Sequence, residues 1–230
     1  LFPEAHAAMA EIQLYYDWDW DGAEASFRRA LQLNPNLEFA HGHYAWLHQL
    51  LGRADASIEH MTRAQQIAPV TPIFTAWLGW LYWGADQPDR AIAEARRALE
   101  VNPDFPWGLY VLGGAYAAKE RFDEALATYE RLATINPRLG NWGLGFTYAQ
   151  MGRPDDAREA AGRLAADPGQ KDLLVLGLMH AMLGERDEAI RWLDTAYREH
   201  VDWFPFVATR AGYDHFVGLA LDSLSTDPRY

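Results

Sequence analysis

The sequence predicts an all-α solenoid of about six helical hairpins, stacked over residues 1–200. Residues 201–230 are expected to form an irregular segment and a C-terminal capping helix. Two observations predict this fold: prolines recur at a fixed spacing, and small residues recur at nearly the same spacing. A fixed period of this size is the signature of stacked repeats, each of which buries its apolar face against the next.

The first period is set by Pro35, Pro69, Pro103 and Pro137, and each interval is 34 residues. Proline lacks a backbone N–H and clashes with the preceding helical turn, so it cannot continue a helix. Each of these prolines follows a segment rich in Ala, Leu and Arg. The four prolines therefore mark four helix ends.

The second period is a ladder of small residues, each followed by a second residue of the same face four positions later, mostly a large apolar one. The small residues are Ala23, Ser57, Ala91, Ala125, Ala157 and Ala189. Their partners are Phe27, Met61, Ala95, Tyr129, Ala161 and Leu193. Residues four apart share one face of a helix, and small side chains let two helices approach closely.

A third pattern lies on the helix before each of these, where a glycine recurs at one register, as in Leu78-Gly79 and Leu112-Gly113. A glycine inside a helix costs about 1 kcal/mol relative to Ala, so its recurrence predicts close packing of helices. Glycines also stand between paired helices, at Gly52, Gly84, Gly152 and Gly184. Glycine suits the left-handed position that ends a helix.

Together these patterns resemble the tetratricopeptide repeat, roughly from residue 4 to residue 200. The resemblance implies a right-handed solenoid in which the first helix of each hairpin lines the concave face. Family members usually hold a peptide or another domain there. The sequence departs from the family pattern at Glu11, which takes the glycine position, and in the last two units, which are two residues shorter.

The stripe beside the packing positions of the first helices predicts the groove. Its residues are Phe39, His43, Trp46, Trp77, Trp80, Trp83, Trp107, Tyr110, Trp142 and Phe146. Aromatic side chains bury roughly 150–250 Å² each, and soluble proteins seldom leave an apolar patch above about 300–600 Å² uncovered. Either something covers this groove, or the array is wound so tightly that the rings pack on each other.

The groove predicts a protein partner with an apolar, aromatic or proline-containing segment, since proline-rich chains dock on aromatic grooves. Family members that clamp a C-terminal carboxylate use Lys, Arg and Asn, which this stripe lacks, so we predict no such clamp. The leading hypothesis is a non-enzymatic interaction scaffold.

The alternative is a regulatory module of a larger protein. Residues 16–24 and 224–230 resemble the C-terminal tetratricopeptide regions of bacterial multidomain signalling proteins, which follow a kinase, a cyclase or a winged-helix DNA-binding domain. The groove would then hold the protein's own effector domain or a small ligand. We also expect the chain, which begins with Leu1, to be a piece of a longer protein.

Composition argues against several other functions. The chain has 20 basic and 32 acidic residues, a net charge of −12, and no basic cluster, which predicts no nucleic-acid partner. It has no cysteine, so disulfides and thiolate metal sites are absent. No apolar run of about 18 residues predicts a membrane span, and no secretory signal opens the chain. We expect a cytoplasmic protein, and the open end of the array offers a surface through which two copies can form a homodimer.

No metal, cofactor or catalytic residue is predicted. His41, His43, His48 and His60 cluster, but His41 and His48 are seven residues apart, whereas the helical zinc motif places two His four apart. The alternating Asp and Trp of residues 17–21 are interpreted as a turn with acidic residues at a helix start. Near the end, Trp203-Phe204-Pro205-Phe206 cannot form a long helix, and residues 213–224 are expected to cap the stack.

Overall fold

A computed structural model describes residues 2–208 and residue 220, and these described residues contain thirteen α-helices and one π-helical turn. The helices are α1 (Pro3–Ile12), α2 (Trp20–Leu33), α3 (Glu38–Leu50), α4 (Ala54–Ile67), α5 (Pro72–Gly84), α6 (Pro88–Val101), α7 (Pro106–Ala118), α8 (Phe122–Ile135), α9 (Pro137–Gln150), α10 (Pro154–Ala165), α11 (Gln170–Met182), α12 (Arg186–Arg198) and α13 (Phe204–Ala208). The π-helical turn, Gln13–Asp17, extends α1. The capping helix expected over residues 213–224 lies outside the described residues.

Consecutive helices pair into six hairpins, from α1 with α2 to α11 with α12, and the hairpins stack. The odd-numbered helices contact each other along the array, α1 with α3, α5 with α7, α7 with α9, and α9 with α11. They form the inner wall, while the even-numbered helices form the outer wall. The predicted all-α array of hairpins is confirmed.

The ladder of small residues is buried as predicted, with Ala23, Ser57, Ala91, Ala125, Ala157 and Ala189 all at 0% exposure. The large residues Phe27, Met61 and Tyr129 beside them are also fully buried. The ends of the outer helices agree with the proline period as well, because α2, α4, α6 and α8 each end two residues before the proline. The repeat thus follows from close contact between small side chains on one helix face.

Tyr129 shows why two positions of the inner helices require glycine, one of them, Gly113, at the recurring register. A Cβ atom added to Gly113 of α7 would lie 2.7 Å from Tyr129 Cζ, and one added to Gly143 of α9 would lie 2.1 Å from Tyr129 Cε1. The ring therefore occupies the space that two missing side chains leave between neighbouring hairpins. Its hydroxyl donates a hydrogen bond of 3.2 Å to the backbone carbonyl of Tyr110.

The turn inside each hairpin contains one residue with a left-handed backbone. In five of the six hairpins this residue is the second one after the inner helix ends, and in the first hairpin it directly follows the π-helical turn. These residues are Trp18, Gly52, Asp86, Glu120, Gly152 and Gly184. The prediction for Gly84 was wrong, because Gly84 is the last residue of α5 and Asp86 takes the left-handed position with φ 55°. Asp adopts this conformation more easily than most residues, since its short polar side chain can bond locally.

A further left-handed residue, His200 with φ 53°, ends α12. The backbone N–H of Val201 then donates to the carbonyl of Ala196 at 3.0 Å, and the Val201 side chain is completely buried. This turn reverses the chain and directs the following residues to the concave side of the array. Residues 202–206 are called the groove segment below.

Candidate functional site

The concave face contains a cavity of about 300 Å³. Its wall is built from the inner helices, the π-helical turn and the groove segment. The lining residues are Tyr15, His43, Trp46, Trp77, Trp80, Trp107, Lys171, Asp202, Trp203 and Phe206. Five of these ten residues are tryptophans, so the cavity offers indole faces and edges to whatever enters it.

Inner helices α3, α5 and α7 supply four of these indoles, because the repeat places equivalent positions side by side. Trp46 of α3 meets two indoles of α5 almost at right angles. Its ring centroid is 5.9 Å from that of Trp77, with planes at 78°, and 6.0 Å from that of Trp80, with planes at 87°. Trp107 of α7 continues the row, 5.3 Å from Trp80. Edge-to-face contact is a favoured geometry for aromatic pairs, so the wall is firmly packed.

The groove segment lies against this wall. The Trp203 ring centroid is 5.5 Å from that of Trp80, 5.8 Å from that of Trp107 and 6.5 Å from that of Trp142. Phe206 meets Trp46 at 6.3 Å with planes at 87°. The chain itself therefore covers part of its own groove, and the cavity is the space left beside the segment.

Lys171 and Asp202 are the basic and the acidic residue of the lining set, and they pair with each other. Lys171 Nζ lies 3.3 Å from Asp202 Oδ2 and 4.2 Å from the centroid of the Trp203 ring. Roughly a third of each side chain is exposed, with 39% for Lys171 and 32% for Asp202. Because the charges neutralise each other, the cavity has no free ionic group among its described lining residues.

The cavity lining also contains a neutral polar pair, because Tyr15 and His43 share a hydrogen bond of 3.0 Å between the hydroxyl and Nδ1. Burial lowers the pKa of His43 to about 4, so the imidazole is neutral at pH 7. Burial also raises the pKa of Tyr15, and the charges of Glu11 and Asp202 raise it further. Glu11 Oε2 stands 3.8 Å from His43 Nε2, and burial raises the pKa of this carboxyl too.

Five of the ten residues predicted for the groove line the cavity, namely His43, Trp46, Trp77, Trp80 and Trp107. Phe39 lies at the rim, 47% exposed, and its ring packs against Phe74 at 5.1 Å.

The structure places the other four predicted residues inside the packing. Trp83, Tyr110, Trp142 and Phe146 are all no more than 5% exposed. Trp83 lies so close to α7 that a Cβ on Gly114 would come within 2.1 Å of its ring. Trp142 donates a hydrogen bond of 2.5 Å from Nε1 to Oδ1 of the fully buried Asp172. These rings join neighbouring hairpins because the array is wound tightly, which was one of the two outcomes left open.

The sequence did not indicate Tyr15, Lys171, Asp202, Trp203 or Phe206 as lining residues. Tyr15 lies in a π-helical turn, where the helical register is shifted. The other four lie after the repeat or at a position outside the stripe. The available signal was the unusual aromatic content of residues 203–206 directly behind the last repeat.

Three histidines outside the cavity lining, His41, His48 and His60, form a small cluster. His41 Nδ1 lies 2.9 Å from His60 Nδ1, and the His48 and His60 rings stack at 5.2 Å. Burial lowers the pKa of His41, His48 and His60, with His60 at about 4. Within the part of the chain that the structure describes, no group of three or more His, Asp or Glu side chains is placed to hold a metal ion.

Comparison with known proteins gives a family. The model of a family described as tetratricopeptide repeat matches residues 78–139 and 143–200. These ranges cover more than half of the 230 residues, and the chain belongs to the tetratricopeptide repeat family. No curated protein matches the sequence significantly.

Several solved structures share the fold. A tetratricopeptide repeat protein from Parabacteroides merdae superposes with a TM-score of 0.70 at 16% identity, covering 95% of this chain and 84% of its own. PilW, a widely conserved type IV pilus biogenesis factor, gives 0.64 at 21% identity, with 95% and 98% covered. MamA gives 0.55 at 20% identity, with 73% and 96% covered. At these identities the likeness concerns the fold alone.

Family and fold together fit a protein–protein interaction scaffold. Among the residues that the structure describes, no helix combines the length and the apolar character needed to cross a bilayer.

Proposed function

We propose that this protein is a non-enzymatic scaffold whose aromatic groove holds a segment of a partner protein. The observation that supports this proposal is the cavity of about 300 Å³ between the indoles of the inner helices and the groove segment. A row of aromatic rings from successive repeats is the surface on which extended or helical segments dock through apolar anchors. The partner segment would be apolar, aromatic or proline-containing.

The size of the cavity sets what can enter it. Sites for small ligands measure about 300–1,000 Å³, so this cavity is at the lower end and suits an anchoring side chain better than a long peptide. Most of the partner segment would then lie outside the cavity, along the wall of the inner helices. Interfaces of this kind take much of their energy from a few aromatic anchors in desolvated pockets.

Charge supports the same choice of partner. Lys171 and Asp202 neutralise each other, and His43 is uncharged at pH 7. A terminal carboxylate would find no unpaired cation among the described lining residues, so a carboxylate clamp is not part of the proposal. The net charge of −12 also repels nucleic acid.

The test is a titration of apolar, aromatic and proline-rich peptide libraries, followed by the indole signals in NMR spectra. Binding should shift the indole N–H signals of Trp46, Trp77 and Trp107, and Trp77→Ala should weaken it at least about tenfold, since aromatic anchors dominate such interfaces. Trp192→Phe, on outer helix α12, is the matched control and should bind like the native protein. Peptides that bind without moving the groove indoles would refute the proposed site.

A second candidate is favoured by the partial cover over the cavity. The groove would be the ligand-binding part of a regulatory module in a larger signalling protein, with a small molecule in the space that the groove segment leaves open. Thermal-shift screening with small aromatic and cationic compounds tests this, because a ligand that binds the folded state raises the melting temperature. A compound that stabilises the native protein but not Trp77→Ala would favour the second candidate.

A further inference from the structure

We propose that the groove segment is an internal ligand: residues 202–206 occupy the place of the partner, which carries an acidic–aromatic–X–Pro–aromatic sequence and binds by displacing them. The inference deepens the proposed function and rests on it, since both concern the same groove. It follows from what the chain itself puts there, Asp202-Trp203-Phe204-Pro205-Phe206.

The aromatic residue at the second position is the principal anchor. Trp203 contacts indoles from three successive inner helices, Trp80 of α5, Trp107 of α7 and Trp142 of α9. Because one ring contacts three successive repeats, its position depends on the curvature of the array as well as on which residues line it. Indole anchors in such surroundings carry a large share of binding energy.

Two flanking residues fix the direction of the segment. Asp202 pairs with Lys171 of α11, which also lies over the Trp203 ring. Phe206 packs against Trp46 of α3. The segment therefore runs across the groove from the sixth hairpin toward the second, with its acidic end at Lys171. A partner that binds in the same way presents its acidic residue before its aromatic anchor.

The shape of the segment adds a further requirement. Phe204–Ala208 is a short helix with Pro205 in its first turn, where proline costs nothing because the first N–H groups of a helix lack partners. The groove therefore selects a turn of helix after the aromatic anchor. A partner with a fully extended proline-rich chain would not place its second aromatic residue against Trp46.

The internal ligand is tethered at a turn that also touches the first hairpin. His200 stacks on Trp18 at 3.9 Å between ring centroids, with planes at 17°, and Phe204 faces the same indole at 6.5 Å. A tethered ligand competes at a high effective concentration. If the groove is open in about 1–10% of molecules, the apparent dissociation constant of a partner rises about 10- to 100-fold.

The experiment uses a synthetic peptide with the sequence of residues 200–207, His-Val-Asp-Trp-Phe-Pro-Phe-Val, titrated into the full chain by calorimetry. Trp203→Ala should bind this peptide at least about tenfold more tightly than the native protein, because its own segment no longer holds the groove. The peptide with Ala in place of its Trp should bind neither protein. Trp192→Phe should bind the peptide as the native protein does.

Each other outcome contradicts a defined part of the account. Equal or weaker binding to Trp203→Ala overturns the internal ligand. If this peptide binds neither protein while library peptides still shift the groove indoles, the internal ligand is overturned and the proposed function stands. If no peptide binds either protein, both are overturned. Circular dichroism checks that each variant is folded. Should Trp203→Ala fail to fold, the affinity of Phe206→Ala for the peptide is compared with that of the native protein instead.

Discussion

The indole rings of Trp80 and Trp203 meet edge to face, with centroids 5.5 Å apart and planes at 85°. Trp80 belongs to the third hairpin, whereas Trp203 follows the sixth, so this contact joins distant parts of the array across its concave side. In a stacked array each repeat normally contacts its neighbours only. The contact therefore turns an open groove into a partly covered one.

Trp203→Ala should lower the free energy of unfolding by about 1–3 kcal/mol. Removal of a fully buried Trp costs about 3–5 kcal/mol, and Trp203 is only partly buried, so the lower range applies. Urea denaturation followed by circular dichroism measures the change. Trp203→Phe keeps an aromatic ring against the wall and should lose less stability. A Trp203→Ala protein as stable as the native one would show that the segment does not pack as described.

The close packing of Tyr129 against Gly143 predicts the effect of placing alanine there, and Gly162 offers a matched control. Gly143→Ala should destabilise the protein by about 1–3 kcal/mol, because the new methyl group would lie 2.1 Å from the Tyr129 ring and the overpacking outweighs the better helix propensity of alanine. Gly162→Ala, on outer helix α10 with nothing within 4 Å, should stabilise it by about 1 kcal/mol. Thermal unfolding of both variants measures the two changes in stability, which should have opposite signs. Two changes of the same sign would contradict the prediction.

Glu24 joins the first two hairpins and should make stability depend on pH. Burial alone would raise its pKa, but the hydrogen bond from Arg53 and the charges of Arg28, Arg53 and His48 outweigh burial and hold the pKa below the usual 4.5. Arg53 Nη1 lies 3.0 Å from both carboxylate oxygens. The stabilisation is therefore complete above about pH 4.5 and disappears as the pH falls through the lowered pKa.

Glu24→Gln should accordingly cost about 1–3 kcal/mol at pH 7, since it removes a hydrogen-bonded charge from an almost buried site. The difference from the native protein should shrink as the pH falls below about 4.5. Urea unfolding at several pH values measures it. Glu100→Gln, at an exposed position of α6, should have little effect at any pH; a constant difference for Glu24→Gln would contradict the assignment.

His43 should stabilise the fold only while it is neutral, whereas Glu24 does so only while it is charged. Its pKa falls from 6.5 to about 4 because it is buried against Tyr15. In the unfolded chain it takes up a proton near pH 6.5, so stability declines as the pH falls from about 6.5 to about 4. Each pKa unit corresponds to about 1.4 kcal/mol, which gives a contribution of about 3 kcal/mol.

An NMR titration of the imidazole nitrogens should therefore find His43 unprotonated at pH 5.5. His43→Gln should make the decline in stability between pH 6.5 and pH 4 shallower. A smaller decline should remain, because burial also lowers the pKa of His41, His48 and His60. An imidazole that titrates near 6.5 in the folded protein would mean that His43 is solvated and that the cavity lining is open to water beside it.

The repeat was predictable from the sequence because its cause is local and periodic. Ala91 and Ala125 share one register, and only small side chains permit the close helix contact there. Gly52, Gly152 and Gly184 were correctly placed at left-handed turns. Gly84 was not, because Asp86 can take the same backbone conformation and leave the glycine inside the helix.

The exposure of each groove residue was not predictable, because the position of a residue within the repeat shows which helix face it lies on but not how deeply that face is buried. Trp80 and Trp83 look alike in sequence, yet Trp80 lines the cavity while Trp83 is pressed against Gly114 of the next hairpin. How tightly the array winds decides between them, and that depends on contacts of every repeat. The part played by Trp203 was equally hidden, since no period links it to the groove.

The most direct test of the self-covered groove is a set of nuclear Overhauser effects between the indole protons of Trp203 and Trp107, whose ring centroids are 5.8 Å apart. The account predicts cross-peaks between these rings in the free protein, and their loss when the peptide of residues 200–207 saturates the groove. Absence of these cross-peaks in the free, folded protein would contradict it, because the groove segment would then lie elsewhere.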